Sequence, residues 1–163
     1  MLYRVREMQE SDWDQVKDIY QQGMDTNQAT FQTECPSYEE FDRSHMEHCR
    51  LVAVDEDIVI GWTALSPISS RCVYRGVTEL SSYVHVSYKG KQVGTQLLKH
   101  LITKSGEYGI WTLQSGIMKD NTASIRLHEK CGFRMVVYRE RIGQDQYGTW
   151  LNTVLMERRS SIS

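Results

Sequence analysis

The sequence predicts an α/β fold, one domain over residues 1–163 with a mixed sheet and helices on both faces, and three observations point to it. Apolar runs of strand length alternate with amphipathic stretches of helical period. Cap residues such as Ser37 and Asn121 stand where the helical patterns begin. The chain is long enough for one sizeable core, and no repeat, low-complexity tract or linker divides it.

Residues 2–6 alternate apolar and basic side chains and read as a first strand. After Ser11, a helix is expected from Trp13, Val16, Ile19 and Tyr20, which recur at three-to-four spacing. Ser37 and Glu40 have capping-box spacing and open a second helix, with Tyr38, Phe41, His45 and Cys49 on one face. Residues 51–54 and 58–65 are two strands, joined through Asp55, Glu56 and Asp57 by a link short enough for a hairpin. A loop, 66–76, carries serines and two arginines. The strand 77–86 follows, with Thr78, Leu80, Ser82, Val84 and Val86 on one face and Glu79, Ser81, Tyr83 and His85 on the other. The turn 90–94 precedes a helix striped by Leu97, Leu98, Leu101 and Ile102, which stops near Gly106 or Gly109. A strand over 111–117, a helix over 121–130 ended by Gly132, and closing strands over 133–141 and 150–157 complete the reading.

The formal net charge of -2 gives no reason to expect a nucleic-acid partner or a polybasic membrane anchor. The longest apolar run, 58–65, is far too short to span a bilayer, and the first residues lack the apolar core of a signal peptide. Cys35, Cys49, Cys72 and Cys131 lie far apart with no C-x-x-C pair, which favours free thiols in a reducing, cytoplasmic setting over a disulfide framework or zinc site. No metal site is expected.

Three segments carry chemistry. Lys89, Gly90, Lys91, Gln92, Val93, Gly94 and Thr95 form a flexible strand-to-helix turn whose backbone N–H groups can converge on an anion at a helix N-terminus. It also reads as plain punctuation. Asn121, Ser124 and His128 fall on one helical face, either as a binding surface or as a solvated polar stripe. Glu79 is a carboxylate inside a strand rich in β-branched and aromatic residues. It reads as a general base raised in pKa by partial burial, as an edge charge, or as a partner for Arg75.

Jointly the segments resemble the GNAT superfamily of acyl-CoA-dependent N-acetyltransferases, in its phosphinothricin (methionine sulfoximine) N-acetyltransferase-like branch. The resemblance covers nearly the whole chain. It rests on Ala29-Thr30-Phe31-Gln32-Thr33-Glu34, on Tyr74-Arg75 ahead of Glu79, on Ser82-Tyr83-Val84-His85, on the Gly94-Thr95 helix start, and on Asn121 to Phe133. One departure stands in the turn: Gln92 occupies the place of a glycine, and a positive φ there would cost glutamine what glycine avoids.

This resemblance implies a mostly antiparallel sheet with a splayed strand pair for the acyl-CoA, and acetyl-CoA as co-substrate. It implies Glu79 as base and His128 at the departing sulfur. The coenzyme would be held by Ser82, Tyr83 and Val84, by Lys89, Gly90, Lys91, Gln92, Val93, Gly94 and Thr95, and by Asn121 and Ser124. The acceptor is expected to be a small amino-acid-like amine, met by Phe31, Arg71, Tyr74 and Arg75 with Tyr83 beside them. A homodimer is implied. A different amine acceptor and a non-catalytic acetyl-CoA-binding protein remain the alternatives.

Overall fold

The computed structural model describes residues 3–26, 30, 32 and 34–160. β1 (Arg4–Glu7) leads through a 3-10 turn into α1 (Trp13–Asp25), and α2 (Tyr38–Ser44) follows. β2 (Leu51–Asp55), β3 (Ile58–Pro67) and β4 (Val77–Val84) form a meander, with a 3-10 turn (Cys72–Tyr74) before β4. Then come α3 (Val93–Glu107), β5 (Thr112–Met118), α4 (Thr122–Lys130), β6 (Arg134–Gln144) and β7 (Trp150–Arg159). The sheet order is β1-β2-β3-β4-β5-β7-β6. Among the described residues, only the β4–β5 pairing is parallel. The mixed, mostly antiparallel sheet expected from the sequence is therefore present.

β2 shows why helices cover both faces. Its residues Leu51, Val52, Ala53 and Val54 are all buried. Successive strand side chains point to opposite faces, so an unbroken apolar run needs cover on each. Leu51 and Ala53 join a cluster with Leu97, Leu98 and Leu101 of α3. Val52 and Val54 join a second cluster with Val16, Ile19 and Tyr20 of α1, Phe41 of α2, and Trp62.

Ser37 caps α2 as its spacing required: its side chain accepts from the Glu40 amide, and Glu40 Oε1 accepts from the Ser37 amide at 3.0 Å. The helix is shorter than expected. It ends at Ser44, His45 is extended, and Cys49 has φ of 66°. The physical reason is that Cys49 packs into the α3-side cluster while Phe41 packs into the α1-side one, so the chain must leave the helix between them.

The feature that positions the site is a wedge. β4 and β5 pair only where Val77, Thr78 and Glu79 meet Thr112, Leu113 and Gln114. β4 continues to Val84 and β5 to Met118, each without the other. β4 stays bonded to β3 over its whole length, and β5 to β7, so each wedge wall is held from its far side. β4 also ends at Val84 rather than Val86, because 86–88 turn as a 3-10 segment.

Candidate functional site

The wedge opens into a cleft of about 840 Å³. Of the residues singled out from sequence, it brings together Glu79, Ser82, Tyr83, Val84, Lys89, Gly90, Gln92, Val93, Gly94, Thr95, Asn121, Ser124 and His128. Lys91 does not line it, although its carbonyl accepts from the Tyr3 hydroxyl at 3.3 Å. Arg71, Tyr74 and Arg75 do not line it either. Their segment is a separate 3-10 turn in which the Arg75 guanidinium lies 5.5 Å from the Trp111 ring centroid, and that of Arg71 lies 5.8 Å from the Tyr74 ring. Phe31 falls outside the described residues.

Glu79 stands where the two strands part. It pairs with Ser66 on one side and Gln114 on the other, at the last rung of the β4–β5 ladder. It is exposed, as the edge-charge reading has it and not partly buried as the raised-pKa reading has it. The divergence of β5 leaves one flank open to water.

Tyr83 lies on the α1 side of β4. Its ring stacks 5.1 Å from both Tyr20 and Trp62, and burial pushes its hydroxyl pKa up. α1 reaches this ring only because residue 23 is glycine: a Cβ there would stand 2.4 Å from the Tyr83 ring.

The N-terminus of α3 faces the cleft, and its N-cap residue Gln92 makes no side-chain cap among the described residues. An uncapped helix start carries unsatisfied N–H groups and roughly half a positive charge, which suits an anion. Val93 is buried in the core, so only its backbone can serve a ligand. Gly90 and Gln92 both have positive φ, 81° and 63°. Glutamine therefore holds the left-handed conformation at a cost glycine would escape, about 1–2 kcal/mol against glycine's larger entropy loss of about 0.5–1 kcal/mol. Gln92→Gly is expected to raise unfolding stability by up to about 1 kcal/mol and to leave coenzyme affinity equal or tighter. Chemical denaturation beside calorimetric titration checks it, and a loss of stability would refute it.

α4 supplies the opposite wall. Asn121 caps it, accepting from the Ser124 amide at 3.3 Å, so its side-chain oxygen is already engaged. His128 is 4% exposed and lies edge-on to Phe133. Its Nδ1 sits 2.7 Å from the Ser124 carbonyl oxygen. A carbonyl only accepts, so Nδ1 carries the proton. Nε2 is buried without a hydrogen-bond partner among the described residues, and burial lowers the pKa of the ring. The unprotonated nitrogen is therefore Nε2, in a buried ring whose residue lines the cleft.

Sequence reasoning missed Gln22 on α1 and Thr26 just past its end, 115–118 on β5, Arg126 and Lys130 on α4, and Arg139 and Ile142 on β6, all of which line the cleft. Their approach depends on strand order and register, which no local pattern carries.

A family model described as the acetyltransferase (GNAT) family matches residues 7–133. An L-methionine sulfoximine/L-methionine sulfone acetyltransferase from Salmonella typhimurium is 33% identical over 66% of this chain and 62% of its own length. The chain thus spans less than two thirds of that relative. A phosphinothricin N-acetyltransferase from Alcaligenes faecalis is 30% identical over 94% of this chain and 81% of its own. Among solved structures, a GNAT superfamily phosphinothricin acetyltransferase from Sinorhizobium meliloti in complex with AcCoA superposes with a TM-score of 0.88. It is 27% identical over 98% of this chain and 89% of that one.

Proposed function

This chain belongs to the GNAT acetyltransferase family, and from that premise we propose that it moves an acetyl group from acetyl-CoA to the α-amine of a small amino-acid-like acceptor. The observation that carries the reading is the wedge itself. It places a carboxylate, an uncapped helix N-terminus and a buried histidine lone pair in one cleft. The names of the relatives support the acceptor class.

On this reading the α3 start and Lys89 take the pyrophosphate, while Ser82, Tyr83 and Val84 border the pantetheine arm along the β4 edge. That edge is unpaired past Glu79, so its backbone groups are free to bind a ligand as a strand would. The acceptor ammonium gives one proton to Glu79, directly or through water, and the neutral nitrogen attacks the thioester carbonyl carbon. The C–N bond forms, the C–S bond breaks, and the proton that the nitrogen sheds on becoming an amide passes through water to the thiolate, giving coenzyme A thiol. Holding both reactants in one cleft makes the step effectively unimolecular. Arg71 and Arg75 reach an acceptor carboxylate only if they leave their rings or act at a second copy's cleft.

Thiol release from acetyl-CoA, followed with a panel of amines, tests the proposal. Turnover with phosphinothricin, methionine sulfoximine or methionine sulfone is expected. Turnover confined to polyamines or aminoglycosides would replace the acceptor class, and binding without turnover would support the non-catalytic alternative.

We also propose a homodimer, supported by Met135, Val136, Val137 and Tyr138, which are exposed together on the edge strand β6. Sedimentation equilibrium is expected to give twice the chain mass, and a monomer at micromolar concentration would refute it.

A further inference from the structure

We propose that Arg139 reads an anionic group at the far end of the acceptor, and that a bulge in β6 exists to aim it there. The inference rests on the acetyltransferase reading above and adds a specificity residue to it.

The first support is sheet parity. Leu113 and Ile117 of β5 belong to the α3-side cluster, so Gln114, Gly116 and Met118 face the α1 side. Met118 pairs with Thr153 of β7, and Thr153 pairs with Arg139 of β6. Directly opposed residues share a face, so Arg139 also faces the α1 side. Glu79 pairs with Gln114 and lies on that face too.

The other cations lining the cleft among the described residues are Lys89, ahead of α3, and Arg126 and Lys130, on α4. Those helices pack on the opposite face, where the coenzyme's phosphates are expected. Arg139 is the cleft cation of the acceptor side.

The second support is the bulge. From Arg139 to Gly143, β6 advances four residues while β7 advances only two, from Thr153 to Leu151. Arg141 takes φ of 50°, and its amide donates to Asn152 Oδ1 at 2.8 Å. A bulge bends its strand and re-aims side chains. Here it sets Ile142 beside Arg139 on the cleft wall, an apolar contact next to a cation. Among the described residues, the Arg139 guanidinium has no hydrogen-bond or ion-pair partner.

Spacing decides which end of the acceptor Arg139 meets. β4 and β6 are three strand spacings apart, about 14 Å, and Arg139 is four residues further along the sheet than Glu79, about 13 Å. One α-carbon cannot give its amine to Glu79 and its carboxylate to Arg139. The guanidinium therefore meets a distal carboxylate, phosphinate or sulfonate on the acceptor side chain, for which its planar fork is suited.

The test compares kcat/KM for phosphinothricin, whose head is anionic, with that for methionine sulfone, whose head is neutral. Arg139→Ala is expected to lower the phosphinothricin value at least tenfold, mainly through KM, and to leave methionine sulfone within about twofold. Arg139→Lys should recover part of the loss, and KM for acetyl-CoA should stay unchanged in both variants. Equal losses on the two acceptors, or no loss, overturn the role of Arg139 while leaving the acetyltransferase reading intact. A parent protein that acetylates neither of these acceptors nor methionine sulfoximine overturns both this role and the amino-acid acceptor class. Near-native thermal unfolding of Arg139→Lys guards against a folding defect.

Discussion

Glu79→Gln is expected to lower kcat by about 10²–10⁴ and to remove the acidic limb of the pH–rate profile. The carboxylate sits on the last rung before the strands part, so its side chain meets whatever enters the wedge. An amide of the same shape keeps the packing and the hydrogen-bonding reach but accepts no proton. Exposure sharpens the expectation. Glu79 has water on one flank, so a water-relayed transfer is as available as a direct one. Raising pH should then partly rescue the variant, because an acceptor already neutral in solution needs no base. KM for acetyl-CoA should be unaffected, since the coenzyme phosphates are expected on the other sheet face. A variant with parental kcat and an unaltered pH profile would sink the assignment and leave solvent as the base.

Local signals in the sequence were legible where the physics is local. The capping box at Ser37 and Glu40 and the Asn121 cap were both readable because a cap is satisfied within three residues. The cost at Gln92 was legible only through the resemblance, which has a glycine in that place, and the φ of 63° realises it. The length of α2 was not legible, because Cys49 and Phe41 answer to clusters on opposite sheet faces. The exposure of Glu79 was legible only as one of three readings, because where β5 leaves β4 is not a local property. Arg139 escaped for a related reason. The two-residue period that assigns faces fails across a bulge, and the bulge is visible only as a register against β7. The resemblance set Arg71 and Arg75 at the acceptor, whereas within this chain they lie against the rings of Tyr74 and Trp111, outside the cleft lining.

His128 separates two roles that the sequence left joined. If it were the acid for the departing thiolate, His128→Ala would lower kcat about a hundredfold and erase a basic limb. The structure favours a neutral ring with its proton on Nδ1, held by the Ser124 carbonyl, and a buried Nε2 without a partner among the described residues, in a residue that lines the cleft. Such a ring accepts a hydrogen bond from a bound ligand and protonates nothing. His128→Ala is therefore expected to change kcat less than tenfold and to raise KM for acetyl-CoA more. It should also cost about 2–5 kcal/mol of stability, as truncation of a buried ring does. The pH dependence of stability gives an independent check. In the unfolded chain a histidine takes up its proton near pH 6.5, while burial holds the folded value below that. Above pH 6.5 both states are neutral and the group adds no slope. Below it the unfolded state binds more protons, so stability falls with acidification by up to about 1.4 kcal/mol per pH unit until the folded ring also protonates. His45, which burial shifts the same way, contributes a similar slope. The readout is therefore the difference between parent and His128→Gln, whose stability curve should be shallower below pH 6.5. Identical slopes, or a hundredfold fall in kcat with the basic limb gone, would return His128 to the role of acid.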